Sequence, residues 1–389
     1  MSRFLSRPAV SQVPLLDMHR GLEPLRADLL AAFGRVLDSG RFLHGADVRQ
    51  LEESVASLCG VRYAVGCASG SDALLLSLMA LGVGPGDEII VPSFTFFATA
   101  SAVWRLRAEI VFADIKPQTF NLDPRKVEEA ITPRTKAIIP VHLFGQCAEM
   151  DALRAIARLH DVRLVEDAAQ AIGATFHGRP AGSWGDMACF SFYPTKNLGG
   201  CGDGGMLTTD DAEWERTLRL LAAHGMDPRY YHRVVGINSR LDSLQAAALN
   251  VKLSRLDEWT AQRQANASRY HALFAEAKLD GALRLPVPAP HCRHVWNQYT
   301  IRVPEGWRDP LREHLARCGV GTEIYYTLPL HLQPCFAHLG YAPGSLPETE
   351  RAAREVLSLP IFPGLTADEQ LFVVQRIRDF FAARQALAA

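Results

Sequence analysis

Short apolar runs alternate with amphipathic ones through the middle of the chain. This rhythm predicts an α/β sheet covered on both faces. Residues 62–67, 88–91, 110–114, 137–141, 162–167 and 188–192 read as strands, and 71–81 and 150–159 as helices. Ser69, Ser71 and Asp72 supply start signals for the first helix, and Gly84-Pro-Gly-Asp87 reads as a turn. Residues 241–275 read as one long helix or two in sequence. Beyond them the rhythm changes to a strand over 295–303, a helix over 309–318 and a C-terminal helix from about 366. A boundary near 250 follows, with a large domain over 1–250 and a smaller C-terminal α+β domain over 251–389.

Composition narrows the class. With 48% hydrophobic residues in 389, a large core in one or two domains is expected. Forty-one basic against 42 acidic side chains leave a net charge of −1, with no basic helix, so no nucleic-acid partner is expected. The eight cysteines form no C-x-x-C pair and several lie in apolar runs, which reads as free thiols in a reducing cytoplasm. No basic stretch followed by an apolar run opens the chain, and no segment has membrane-spanning length. His291-Cys292-Arg293-His294 lacks a usual zinc spacing and reads as a surface loop.

The chemistry concentrates between positions 189 and 205. Lys196 follows the apolar run ending at Phe192 and precedes the glycine-rich Gly199-Gly-Cys-Gly-Asp-Gly-Gly205. A lysine there can bind an aldehyde carbon covalently, while the glycines let the backbone pass close to a ligand. Asp167, 29 residues upstream, ends a buried strand, where a carboxylate can pair with a ring nitrogen and make the ring an electron sink. Gln170, three residues on, can reach the same ring. Gly70 and Ser71 sit at a strand-to-helix turn that favours phosphate, although an ordinary N-cap gives the same pattern. Ser191 can donate to a phosphate oxygen. Within Phe94-Thr-Phe-Phe97 one aromatic can stack on a flat heterocycle, and one or two pack in the core.

These motifs, in this order, resemble the DegT/DnrJ/EryC1/StrS family of pyridoxal-phosphate-dependent sugar aminotransferases. The likeness runs from Val13-Pro-Leu-Leu-Asp17 to Pro360. It includes Leu37-Asp-Ser-Gly40, Gly84-Pro-Gly-Asp-Glu88, Ile138-Ile-Pro-Val-His-Leu-Phe-Gly145, Gly236-Ile-Asn-Ser-Arg-Leu-Asp242 and Tyr326-Thr-Leu-Pro-Leu-His-Leu-Gln333. The resemblance implies the aspartate-aminotransferase-like fold type I: a large domain with a mostly parallel central sheet, and a smaller C-terminal α+β domain. It implies pyridoxal 5′-phosphate as cofactor, with pyridoxamine 5′-phosphate as its second form. It assigns Lys196 to the covalent link, Asp167 to the ring nitrogen and Gln170 to the ring hydroxyl. Gly70, Ser71 and Ser191 go to the phosphate, and Phe94 to ring stacking. Asn238 matches an asparagine that reaches the neighbouring subunit's cofactor, which implies a homodimer.

The implied reaction carries an amino group from L-glutamate to a nucleotide-linked keto sugar. The loop Tyr193–Gly205 resembles that of members acting at carbon 3, which favours a 3-keto, 6-deoxy hexose on dTDP or UDP. A 4-keto sugar, a keto-inositol and a cofactor-binding regulator are the alternatives; Lys196 itself argues against the family's dehydratases, which carry histidine there. Tyr325, His331, Arg240, Arg229 and Arg233 are candidate substrate contacts. The two loop arginines suit a diphosphate by charge and fork geometry, and equally suit a solvated basic loop. Ser71 stands where threonine is usual, Cys201 where a larger residue is common, and Thr327 where proline is frequent, which puts the shape of the 325–331 loop in question.

Overall fold

The computed structural model describes residues 10–279 and 281–388. Seven strands form the central sheet: β1 (Tyr63–Cys67), β2 (Glu88–Pro92), β3 (Glu109–Ala113), β4 (Thr135–Ile138), β5 (Arg163–Asp167), β6 (Met187–Ser191) and β7 (Gly205–Thr209). Their order is β1-β7-β6-β5-β4-β2-β3. Only β7 runs against its neighbours, pairing antiparallel with β1 and with β6. All five residues of β2 are buried, as expected of a parallel strand covered on both faces. β7 escapes a pattern-based reading because it begins on the last glycine of the loop after Lys196, where turn residues mask the strand signal.

Local chemistry explains the helices that frame the site. The Gly70–Ala80 helix starts at Ser69, whose hydroxyl accepts from the Asp72 N–H at 3.1 Å. In the Met150–Leu159 helix, Met150, Leu153, Ile156 and Ala157 form one buried stripe. The 241–275 region resolves into two helices, Ser243–Leu253 and Leu256–Glu276.

A second core surrounds the antiparallel pair β8 (Tyr299–Arg302) and β9 (Val356–Leu359). Tyr270, Phe274, Leu311, Val373 and Ile377 pack there. The boundary expected near 250 falls inside the Ser243–Leu253 helix. Leu256 belongs to the sheet's core and Tyr270 to the second, so the next helix crosses between them. The N-terminal segment also joins the second core rather than the first. Val13 pairs with the 319–321 segment, donating to Gly319 O at 2.9 Å and accepting from the Gly321 N–H at 2.8 Å. Among the described residues no helix is long and apolar enough to cross a membrane.

Candidate active site

β1, β2, β5 and β6 run in one direction, so their carboxyl ends meet along one sheet edge, where open α/β sheets bind ligands. A cavity of about 530 Å³ opens there. Gly70, Ser71, Asp167, Gln170, Ser191, Lys196 and Tyr325 all line it. Residues up to 255 positions apart in sequence therefore converge, as the motif order anticipates.

Asp167 closes β5 and is buried. Its Oδ2 accepts from the Thr99 hydroxyl at 2.8 Å and its Oδ1 from the Ala169 N–H at 3.2 Å. Burial raises its pKa; the Thr99 and Ala169 hydrogen bonds and the charge of Lys196 oppose the rise. Lys196 lies on the 193–196 turn, its N–H donating to Tyr193 O at 2.9 Å. Burial lowers its pKa, against an opposing pull from Asp167. A larger share of neutral amine at neutral pH follows, and the neutral amine is the nucleophilic form.

Gln170 is held at both ends of its amide. Its Oε1 accepts from the Phe144 N–H at 2.6 Å, and its Nε2 donates to the Tyr326 hydroxyl at 3.3 Å. Gly70 and Ser71 occupy the first turn of their helix, where backbone N–H groups lack intrahelical partners. A Cβ on Gly70 would come within 2.7 Å of Ser191 Cβ, so only glycine lets this turn close on Ser191. A Cβ on Gly205 would strike the Ser69 carbonyl group, which keeps β7 tight against the same turn. An amine, a buried carboxylate and an N–H-rich cup in one cavity fit a phosphorylated pyridine aldehyde.

Other expected contacts lie elsewhere. Phe94, expected to stack on the ring, is 0% exposed and packs in the second core, edge-on to Tyr326 at 5.3 Å. Phe96, two residues on and 62% exposed, lines the cavity instead. The extended chain after β2 turns successive side chains to opposite sides, and sequence alone does not say which aromatic faces the ligand. His331, expected at the substrate, is buried: its Nδ1 lies 2.7 Å from Ser93 Oγ and its Nε2 3.2 Å from Glu350 Oε1. Burial lowers its pKa, opposed by Glu350, and it does not line the cavity. Arg229 and Arg233 are exposed. The first lies over the Tyr230 ring at 4.9 Å, and the second pairs with Asp227 at 3.2 Å. Asn238 is exposed, and Arg240 lines a separate cavity beside Glu52 and Arg219.

Thr99, Tyr193, Asp203 and Tyr326 are among the lining or supporting residues that escape the sequence reading as site residues. Thr99 has a partial signal, lying one helical turn from Thr95, whose hydroxyl is 3.2 Å away. Tyr326 holds a positive φ of 64° that no local motif announces.

A lysine and a buried carboxylate sharing a cavity at the carboxyl edge of such a sheet define a pyridoxal-phosphate-dependent transferase of fold type I. More narrowly, the chain belongs to the DegT/DnrJ/EryC1/StrS aminotransferase family, whose sequence pattern matches residues 24–378. The "pleiotropic regulatory protein" of Geobacillus stearothermophilus is 49% identical, over 95% of this chain and 98% of its own length. The dTDP-3-amino-3,4,6-trideoxy-α-D-glucose transaminase of Streptomyces venezuelae is 46% identical, over 96% and 98%. The crystal structure of S. venezuelae DesV in complex with a ketimine intermediate matches with a TM-score of 0.91 at 46% identity, covering 95% of this chain and 98% of that one. The protein is an aminotransferase of this family, and its cofactor is pyridoxal 5′-phosphate.

Proposed function

We propose that this chain transfers an amino group from L-glutamate to carbon 3 of a hexose linked to dTDP or UDP. It does so as a homodimer in the cytoplasm, each site taking Asn238 from the neighbouring copy. The observation that carries the reading is the single cavity joining Lys196 to the buried, hydrogen-bonded Asp167. The action of the S. venezuelae relative at carbon 3, and the Gly-Cys-Gly-Asp203-Gly-Gly loop, support the sugar assignment.

When bound, pyridoxal 5′-phosphate supplies an electron sink for the pair left when the donor's α-proton departs. Asp167 would pair with the ring nitrogen and keep it protonated, its own charge held by Thr99 and Ala169. Gln170 would meet the ring hydroxyl, Phe96 would cover the ring, and Ser191 with the Gly70–Ser71 N–H groups would hold the phosphate. Lys196 Nζ would hold the aldehyde carbon covalently. As a free amine it would move the donor's α-proton, general acid–base work by a positioned amine. The same residues would serve the keto sugar. Tyr193, Asp203 and Tyr325 line the same cavity and would meet the sugar.

A second reading, a regulator that binds the cofactor without turnover, has one observation in its favour, the name of the 49% identical relative. The test is a product assay. Glutamate-treated enzyme is offered 3-keto and 4-keto dTDP- and UDP-hexoses and a keto-inositol, and the products are read by NMR. Amination at carbon 3 of a nucleotide sugar is expected. Amination of the free cyclitol, or at carbon 4, would replace the sugar assignment, and no product with any acceptor would favour the regulator.

A further inference from the structure

A second cavity, of about 360 Å³, lies behind the segment that carries Lys196. Thr195, Lys196 and Asn197 form one wall, and Lys252 and Arg263 contribute to the rest. Both cations are buried, 6% and 4% exposed, and neither pairs with a carboxylate among the described residues. Buried charge without a counter-ion is costly unless an anion or a full set of hydrogen bonds meets it.

The hydrogen bonds present do not complete that set. Lys252 Nζ donates to Gly199 O and, at 3.5 Å, to Gly200 O, leaving one of its three donors. Arg263 Nη1 donates to Trp296 O at 3.1 Å and Ile361 O at 2.8 Å, while its buried Nε has no partner. Asn197 lines the same cavity, and its Nδ2 donates to Val295 O at 2.9 Å. The one carboxylate lining the cavity, Asp17, is already engaged: Oδ1 accepts from the His19 N–H, and Oδ2 pairs with Arg20 Nε at 3.0 Å.

Two buried cations lining one cavity, neither paired with a carboxylate among the described residues, suit an oxyanion. We propose that this cavity is an anion site for inorganic phosphate or a phosphate monoester, held by Lys252 and Arg263. An anion there buttresses the 195–197 segment from the rear and so sets the position of Lys196. The site is separate from the cup at Gly70 and Ser191, and it does not depend on which sugar the enzyme aminates.

The test uses holoenzyme, whose own cofactor phosphate occupies the cup. Inorganic phosphate is titrated calorimetrically against chloride at fixed ionic strength, and phosphate-free crystals are soaked in tungstate. One saturable site per chain is expected, with tungstate between Lys252 and Arg263. Lys252→Met should weaken phosphate at least tenfold, and Lys252→Arg should keep most of the affinity. Absence of saturable binding overturns the proposal, as do affinity unchanged in a folded Lys252→Met, tungstate found only elsewhere, and a cavity filled by a second copy. Should Lys252→Met fail to fold, the tungstate map of the unaltered holoenzyme decides alone. Inorganic phosphate that binds while glucose 6-phosphate does not would restrict the site to the free ion.

Discussion

The cofactor side of the main cavity and the 225–236 loop differ in how far one chain completes them. Around Asp167, Gln170 and Ser69 the polar groups are tied by short-range partners within the chain. In the loop, Tyr230 is 75% and Val235 90% exposed, and Arg229 and Arg233 bond only to loop residues. Exposed bulky apolar residues beside arginines bonded only within their own loop are what a second subunit covers. The difference teaches that the Asp167 and Gln170 side of the cavity is tied within one chain, while the 225–236 loop leaves bulky side chains uncovered.

The strongest test of the cofactor side is Lys196→Ala, expected to lower turnover by about 10³-fold or more, measured as amino-sugar formation. Near-normal turnover would break the comparison at its root. Next comes subunit mixing. Lys196→Ala and an Asn238 variant, each inactive alone, should together regain about a quarter of wild-type activity, because half the dimers are hybrids with one intact site. No recovery in verified hybrids would place Asn238 outside the partner's site.

The two phenylalanines sharpen the contrast. Phe94→Ala should cost about 3–5 kcal/mol of stability by denaturant titration, as for other buried rings. Phe96→Ala should change stability little and weaken cofactor retention on dialysis. The reverse pattern would restore Phe94 to the ring. His331→Ala should destabilise by about 1–3 kcal/mol, leaving Ser93 and Glu350 without their partner, with the KM for the sugar nearly unchanged. A large rise in KM with no loss of stability would return His331 to the substrate.

The smallest effect is electrostatic. The folded-state pKa of Asp167 is raised above its unfolded value by burial, so ionising it disfavours the cofactor-free fold as pH rises above the ordinary carboxylate range. Asp167→Asn should therefore raise the melting temperature of cofactor-free protein at neutral pH by about 1–2 °C. The same change should slow turnover about 10²-fold or more. Cofactor-free protein destabilised by the change would contradict the direction of that pKa shift.

Legibility followed the same division. Strand ends are marked by apolar runs and glycines, so Asp167, Ser191 and Lys196 stand out in the sequence, and one cavity joins them. Thr99 and Tyr326 act through tertiary hydrogen bonds that no local pattern encodes. Phe94 and Phe96 share a composition and differ only in which way the extended chain turns them. His331 sits in a motif that fits either a ligand contact or a buried strut, and Ser93 and Glu350, 238 and 19 positions away, decide for the strut. The boundary near 250 is blurred because one helix serves both cores.

The most direct test of the central claim is the visible absorption spectrum of the purified holoenzyme before and after L-glutamate. The Lys196–Asp167 cavity predicts that the visible band of the lysine-bound cofactor falls and the near-ultraviolet band of the amine form rises, and that a 3-keto nucleotide hexose then restores the first. A visible band that no amino donor moves would contradict the assignment of this cavity to transamination.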